Sequence, residues 1–205
     1  LFTAKIPMVK QNEIRSAIES KIEENVPVSP TELVFDYKLF NHRQKEHLDV
    51  VVSALPSIVV DSYVDLATSS NLSLLSLEIE SQSITYSLLP KDNKGTVLIV
   101  HFGAEKVGLY VASFRVVNFT STIITKGESL NNPGYLMQEI KKLYTYWHTL
   151  KENIGHEDKK ISQIIVCGEN IGEETLSYMT SHNQTPAILG NVWTNVFDIN
   201  KTVPE

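Results

Sequence analysis

Residues 95–125, GTVLIVHFGAEKVGLYVASFRVVNFTSTIIT, constrain the fold more than any other stretch. Three apolar runs follow one another there. Residues 97–100 form a continuous apolar run, the pattern of a strand buried on both faces. Residues 107–114 and 116–124 are rich in β-branched and aromatic side chains, which suit strands. Between the first two runs lies the short turn 101–106, with Gly103 where the backbone has to bend or be approached closely. The stretch reads as a β-meander at the heart of an α/β layer.

The chain before it supplies a smaller set of elements. Residues 1–6 read as a strand closed by Pro7. Ile14, Ile18, Ile22 and Val26 recur every fourth position and make one apolar stripe of a helix, with Glu13, Glu19, Glu23 and Glu24 off it. The prolines of PVSP stop that helix. Residues 33–40 alternate as a strand, and residues 48–55 form another, ended by Pro56. Between them, the polar loop 41–47 holds His42 and His47; no Cys or carboxylate cluster joins them, so no metal is expected. A second helix over 58–69, with Ser57 as its N-cap, turns Val60, Tyr63, Val64 and Ala67 inward. Residues 72–79 read as a strand and 80–89 as a short helix or extended linker. The polar run 90–95, with Pro and Gly at its ends, divides a β-α-β-β-α-β unit over 1–90 from a second unit over 95–205.

After the meander, Asn132 and Pro133 provide a cap and a first-turn proline for a helix over 134–150, whose Leu136, Ile140, Leu143, Trp147 and Leu150 are core candidates. A charged loop leads to a buried strand over 161–167, then a short helix over 172–181 and a last strand over 186–189.

Composition excludes several function classes. The net charge of −6 comes with no basic patch, which argues against nucleic acid as a partner. The single cysteine, Cys167, permits no internal disulfide. It stands at the end of a buried strand, where a thiol is ordinarily inert. No apolar run approaches the roughly 18–20 residues of a membrane-spanning helix, so no direct membrane insertion is expected. No G-x-S-x-G marks a nucleophile elbow.

Several stretches resemble the PilM family of type IV pilus assembly proteins, the branch of the actin-like ATPase superfamily that includes FtsA. KIPMVKQNEIRSAIESKIEENVPVSPTELVFDYKLF and VVVSALPSIVVDSYVDLATSSNLSLLSLEIES are similar, in order, to the small subdomain inserted in that branch. VLIVHFGAEKVGLYV is similar to the phosphate-gripping hairpin, VCGEN to the adenosine motif, and NVWTNV to the segment after the final strand. KGE at 126–128 is similar to the end of the strand that follows the hairpin.

The resemblance implies an actin-like (ribonuclease H-like) partial α/β fold with an inserted small α/β subdomain. It implies a relict nucleotide site at His101, Gly103, Ala104, Glu105, Lys106, Gly168 and Glu169. Two changes weaken that site: His101 stands where the hairpin carries a metal-ordering Asp, and Glu169 where the adenosine motif has a second glycine. The helical subdomain that covers the nucleotide is also expected to be missing. The first phosphate loop is expected to lie ahead of Leu1, in a longer protein of which this chain is a piece. A triphosphate beside Glu169 without a metal ligand is electrostatically unfavourable, so the expectation is no cofactor and no phosphoryl transfer, which needs metal, donors and positioned water together.

What remains is a cytoplasmic scaffold, peripheral to the inner membrane through a partner. That partner is an inner-membrane pilus protein with a PilN-like tail, and Leu33, Phe35, Tyr37 and Phe40 are its candidate contacts. The alternative is an actin-like ATPase that binds ATP with magnesium and keeps its remaining parts outside this chain.

Overall fold

A computed structural model describes residues 1–39, 47–124, 133–169, 171, 173–182 and 185–197. The chain divides into two units, Leu1–Ile79 and Glu80–Glu205, each with its own sheet.

In the first unit the elements are β1 (Phe2–Pro7), α1 (Ile14–Asn25), β2 (Leu33–Leu39), β3 (His47–Pro56) and α2 (Ser57–Ser69). The sheet is antiparallel, in the order β1-β3-β2, so β1 and β2 are both edge strands. Alternation puts Ile6, Phe35, Val50 and Val52 on one face, where they close over Ile14, Ile18 and Ile22 of α1. Those three isoleucines fall on the stripe expected from their spacing. Arg15 lies over the Phe35 ring at 4.2 Å from its centroid.

Two expectations for this unit fail. Residues 72–79 form no strand. In α2 no residue is buried: Tyr63 and Val64, expected inward, are 53% and 41% exposed, and Ile58 and Leu66 are 75% and 63% exposed. Val60 and Ala67 are half-buried. The apolar arc of α2 is wider than the sheet beneath it covers.

The second unit holds α3 (Glu80–Leu88), β4 (Thr96–Phe102), β5 (Lys106–Ser113), β6 (Val116–Ile124), α4 (Pro133–Thr149), β7 (Ile161–Gly168), α5 (Glu173–His182) and β8 (Ala187–Leu189). The sheet order is β6-β5-β4-β7-β8. The meander β4-β5-β6 is antiparallel, while β4, β7 and β8 run parallel. One face is apolar: Leu98, Val100, Phe102, Val107, Leu109, Val111, Ile164 and Val166 pack with Leu136, Ile140, Leu143 and Trp147 of α4 and Met179 of α5. Trp147 donates its indole N–H to the Lys159 carbonyl at 2.7 Å, so its polar atom is satisfied in the core.

The opposite face carries α3, which lies against β5 and β6. Between those strands Phe114 and Arg115 turn the chain, both left-handed at φ 51° and 64°. Gln82 of α3 holds that turn: its amide donates to the Arg115 carbonyl at 2.8 Å, and its oxygen accepts from the Val117 N–H at 3.1 Å.

The division between units thus falls between Ile79 and Glu80 rather than in the polar run 90–95. The reason is α3. Its contacts are with the meander, so it belongs to the second sheet and the polar run is a connection inside that unit.

Candidate functional site

The carboxyl ends of parallel strands are where open α/β sheets take their ligands. Here the adjacent ends of β4 and β7 bring together two of the stretches singled out in the sequence. Register places His101 beside Cys167 and Phe102 beside Gly168. The Glu169 N–H donates to the Phe102 carbonyl at 2.8 Å, tying the second stretch to the first. Ala104, Glu105, Lys106, Gly168 and Glu169 are exposed around this end, and Gly103 and His101 are half-buried.

The two glycines behave differently. Gly103 donates its N–H to the Lys106 carbonyl at 2.9 Å to close the turn. A Cβ there would lie 3.4 Å from the Lys106 carbonyl oxygen, an ordinary contact. The turn therefore does not demand glycine, contrary to the expectation for it. Gly168 has φ +113°, and a Cβ on it would come within 2.0 Å of the Phe102 carbonyl oxygen. Its bare backbone is what lets β7 finish against β4.

His101, Lys106 and Tyr110 project onto the face that α3 covers, because alternation sends positions 106, 108 and 110 of β5 to one side. They converge on Glu80, the first residue of α3. His101 Nδ1 lies 3.0 Å from Glu80 Oε1, a contact of ion-pair length that is off the line of a hydrogen bond, so the buried Nδ1 has no hydrogen-bond partner. Tyr110 donates its hydroxyl to the same oxygen at 3.3 Å. Lys106 Nζ pairs with the other oxygen, Oε2.

Gly108 makes this convergence sterically possible. It stands opposite His101, and a Cβ on it would lie 2.1 Å from the Tyr110 hydroxyl. The ring therefore lies back over Gly108 toward Glu80.

Charge follows geometry. The Lys106 ammonium, through its hydrogen bond first, holds the Glu80 carboxyl below its ordinary range. Burial and the neighbouring Glu80 push the Tyr110 phenol well up, so it stays a donor. Burial pushes the Cys167 thiol up to about 12, which leaves it protonated and unreactive at neutral pH. Among the described residues, no group of three or more His, Cys, Asp or Glu side chains is placed to hold a metal ion.

The candidate contacts of the first unit are placed otherwise. Phe35 is buried, and Leu33 and Tyr37 pack half-buried against the same core under α1. Phe40 lies outside the described residues, as does the stretch 126–128. Along β2, the Tyr37 N–H is taken by Asp36 Oδ1 at 2.8 Å and the Leu33 N–H by the Pro30 carbonyl. Glu80, Gly108 and Tyr110 were not singled out in the sequence. A carboxylate opening a helix gives no hint of the strand residues it will meet.

No family model and no curated protein matches the sequence. Solved structures do. The chain superposes on the PilM–PilN type IV pilus biogenesis complex with a TM-score of 0.70 at 14% identity, over 93% of this chain and 66% of that one. The cytoplasmic domain of EpsL, an inner-membrane component of the type II secretion system of Vibrio cholerae, gives 0.47 at 7% identity, over 96% of this chain and 74% of that one. A protein of unknown function with an actin-like ATPase fold from Bacteroides thetaiotaomicron gives 0.45 at 10%, over 95% and 66%. The chain thus spans just under two thirds of the length of the first of these. It has the actin-like α/β fold expected from the sequence. At these identities the likeness establishes the fold and not an individual protein.

Proposed function

We propose that this chain is a non-hydrolysing actin-like scaffold of a type IV pilus or related secretion assembly, which binds the tail of an inner-membrane partner. The observation that carries the reading is the likeness of 93% of the chain to the PilM–PilN complex. Two features of the chain support it. Lys106, the cation beside the strand ends, is already engaged by Glu80, and His101 lies against the same carboxylate. The first unit also offers edge strands to which an extended peptide can add.

Because β2 satisfies two of its amides locally, we assign the tail to β1. Leu33, Phe35 and Tyr37 then serve as the core beneath the sheet. A basic or amphipathic tail suits the net charge of −6 and gains on-rate from it. Among the described residues no helix is long and apolar enough to cross a membrane, and attachment to the inner membrane from the cytoplasmic side runs through the partner.

The test is co-purification of the intact protein with the inner-membrane subunits encoded beside it, from detergent-solubilised membranes. Retention of one subunit, lost when that subunit's cytoplasmic tail is deleted, is the expected result. Retention of none, together with magnesium-dependent ATP binding, overturns the reading in favour of an actin-like ATPase.

A further inference from the structure

The meander ends in a strand whose outer side is closed along one half and open along the other. β6 is the edge of its sheet, and hydrogen bonding fixes which of its amides face outward. The Gly103 N–H bonds to the Lys106 carbonyl, so Lys106, and with it every second residue of β5, turns its backbone groups toward β4. The alternate residues Val107, Leu109 and Val111 therefore bond to their register partners Ile123, Ser121 and Phe119 on β6. That leaves Thr120, Thr122 and Ile124 with their N–H and C=O groups pointing away from the sheet.

The chain closes the first half of this edge itself. The Val117 N–H is taken by Gln82 Oε1 at 3.1 Å, and the Asn118 side-chain amide donates to the Val116 carbonyl at 2.8 Å. Asn118 is also the extra residue of a bulge, since Val111 pairs with Phe119 and Ala112 with Val117. Beyond the bulge these devices stop. Among the described residues, no group meets the outward N–H and C=O groups of Thr120, Thr122 and Ile124. None of the nine residues VVNFTSTII is charged or proline, although lysine and proline are what natural edges use to discourage pairing.

We propose that β6 pairs with β6 of a second copy of this chain, antiparallel about a two-fold axis at Ser121, joining two five-stranded sheets into one. The inference goes beyond the scaffold reading and does not depend on it.

The edge is self-complementary about that point. The axis sets Thr120 against Thr122 of the second copy and Phe119 against its Ile123, so hydroxyl meets hydroxyl on one face and apolar meets apolar on the other. Phe119 and Ile123 belong to the core under α4. The Tyr146 ring of α4 lies 5.2 Å from that of Phe119, yet the residue is 48% exposed. The apolar layer thus runs out to the edge unfinished, and a second copy continues it. Charge selects the occupant. With a net charge of −6 on each chain, two copies repel wherever acids meet, and a two-fold axis through this neutral strand sets no like charges opposite each other. A basic tail finds no carboxylate on β6 to recognise. One short ladder with its flanking side chains falls in the small class of interface, below about 1,200 Å² in total, so the dimer is reversible.

The test is sedimentation velocity of the intact protein from about 1 to about 200 μM, comparing the unaltered chain with Thr122→Lys. The expected result is a concentration-dependent dimer, weakened on the order of tenfold or more by the lysine. Thr122 is exposed, so the melting temperature of the variant stays that of the unaltered chain. Ser121→Cys reads the register. Ser121 spends its own backbone bonds on β5, so it meets its copy as a non-hydrogen-bonded pair, where side chains come closest. Oxidised glutathione is expected to link this variant into a disulfide dimer, with the native Cys167 buried out of reach. Ser62→Cys, on the exposed side of α2, is the control and stays unlinked. A chain that is monomeric throughout the range overturns the proposal. So does a dimer that Thr122→Lys leaves intact, or linking at Ser62→Cys as fast as at Ser121→Cys. A monomeric chain whose capture of the partner's tail is lost in Thr122→Lys assigns the edge to a peptide instead.

Discussion

Replacing Gly168 by alanine tests the geometry that joins β7 to β4. At φ +113° an L-residue is strained, and such backbone strain costs about 1–3 kcal/mol. The added Cβ would also lie 2.0 Å from the Phe102 carbonyl oxygen. That oxygen is backbone at the end of β4, a strand held between β5 and β7, and cannot swing aside. Relief requires giving up the 2.8 Å bond from the Glu169 N–H to the same oxygen, a further loss of about 1 kcal/mol. The sum is about 3 kcal/mol, or roughly 10 °C in melting temperature for a unit of this size.

Gly155→Ala is the internal control. Gly155 also has a positive φ, +79°, but nothing lies within 4 Å of where its Cβ would be, so only the conformational cost of about 1 kcal/mol applies. Both tryptophans, Trp147 and Trp193, belong to the second unit. Urea unfolding followed by tryptophan fluorescence therefore reports on that unit directly. Equal losses at 155 and 168, or a loss below about 1 kcal/mol at 168, would refute the close approach of the two strands.

Ile18 of α1 is fully buried against the sheet, and Ile18→Ala is expected to destabilise the first unit by about 2–5 kcal/mol in far-UV dichroism melts; a loss under about 1 kcal/mol would contradict the packing. Leu66→Ser, on the exposed side of α2, is expected to change stability by no more than about 0.5 kcal/mol, and a loss several times larger would show that this face is covered in solution. The Glu80 carboxyl is held below its ordinary 4.5 in the folded chain, so it contributes stability that is fully present above that value and lost as pH falls through the folded one. With the carboxylate 43% exposed, the contribution is under about 1 kcal/mol, and Glu80→Gln is expected to flatten the acid limb of the stability curve by that amount. An identical acid limb in both proteins would remove the basis for this pairing.

The elements readable from sequence are those whose signal is local and whose burial is complete. The run 97–100 lies in β4 and is buried throughout, and the isoleucines of α1 are buried at the positions their spacing predicts. The errors arise where apolar content and burial part company. Residues 72–79 contain leucines enough for a strand, yet Leu72 and Leu75 are exposed and no neighbour pairs with the segment. Along α2, periodicity gave the helix correctly but not how much of its apolar arc the sheet would cover.

In the second unit, His101, Gly103, Lys106, Gly168 and Glu169 were singled out from the sequence, and the structure gathers them at one end of the sheet. The residue that organises them was not. Glu80 stands 26 positions before Lys106 and 30 before Tyr110, and the polar run 90–95, read as the boundary in the sequence, separates its helix from the strands it meets. No pattern within a short window links such positions. Gly168 drew notice as part of an adenosine-type motif, whereas its conformation and its approach to Phe102 are sufficient to require glycine.

The central proposal is that this actin-like chain works by holding a partner and not by turning over nucleotide, its hairpin Lys106 being engaged by its own Glu80. Phosphate release from ATP with magnesium by the intact protein tests it most directly. The account predicts release no faster than the buffer blank, with or without the partner's tail. Sustained release that Lys106→Ala or His101→Ala abolishes, with the fold retained, would contradict it.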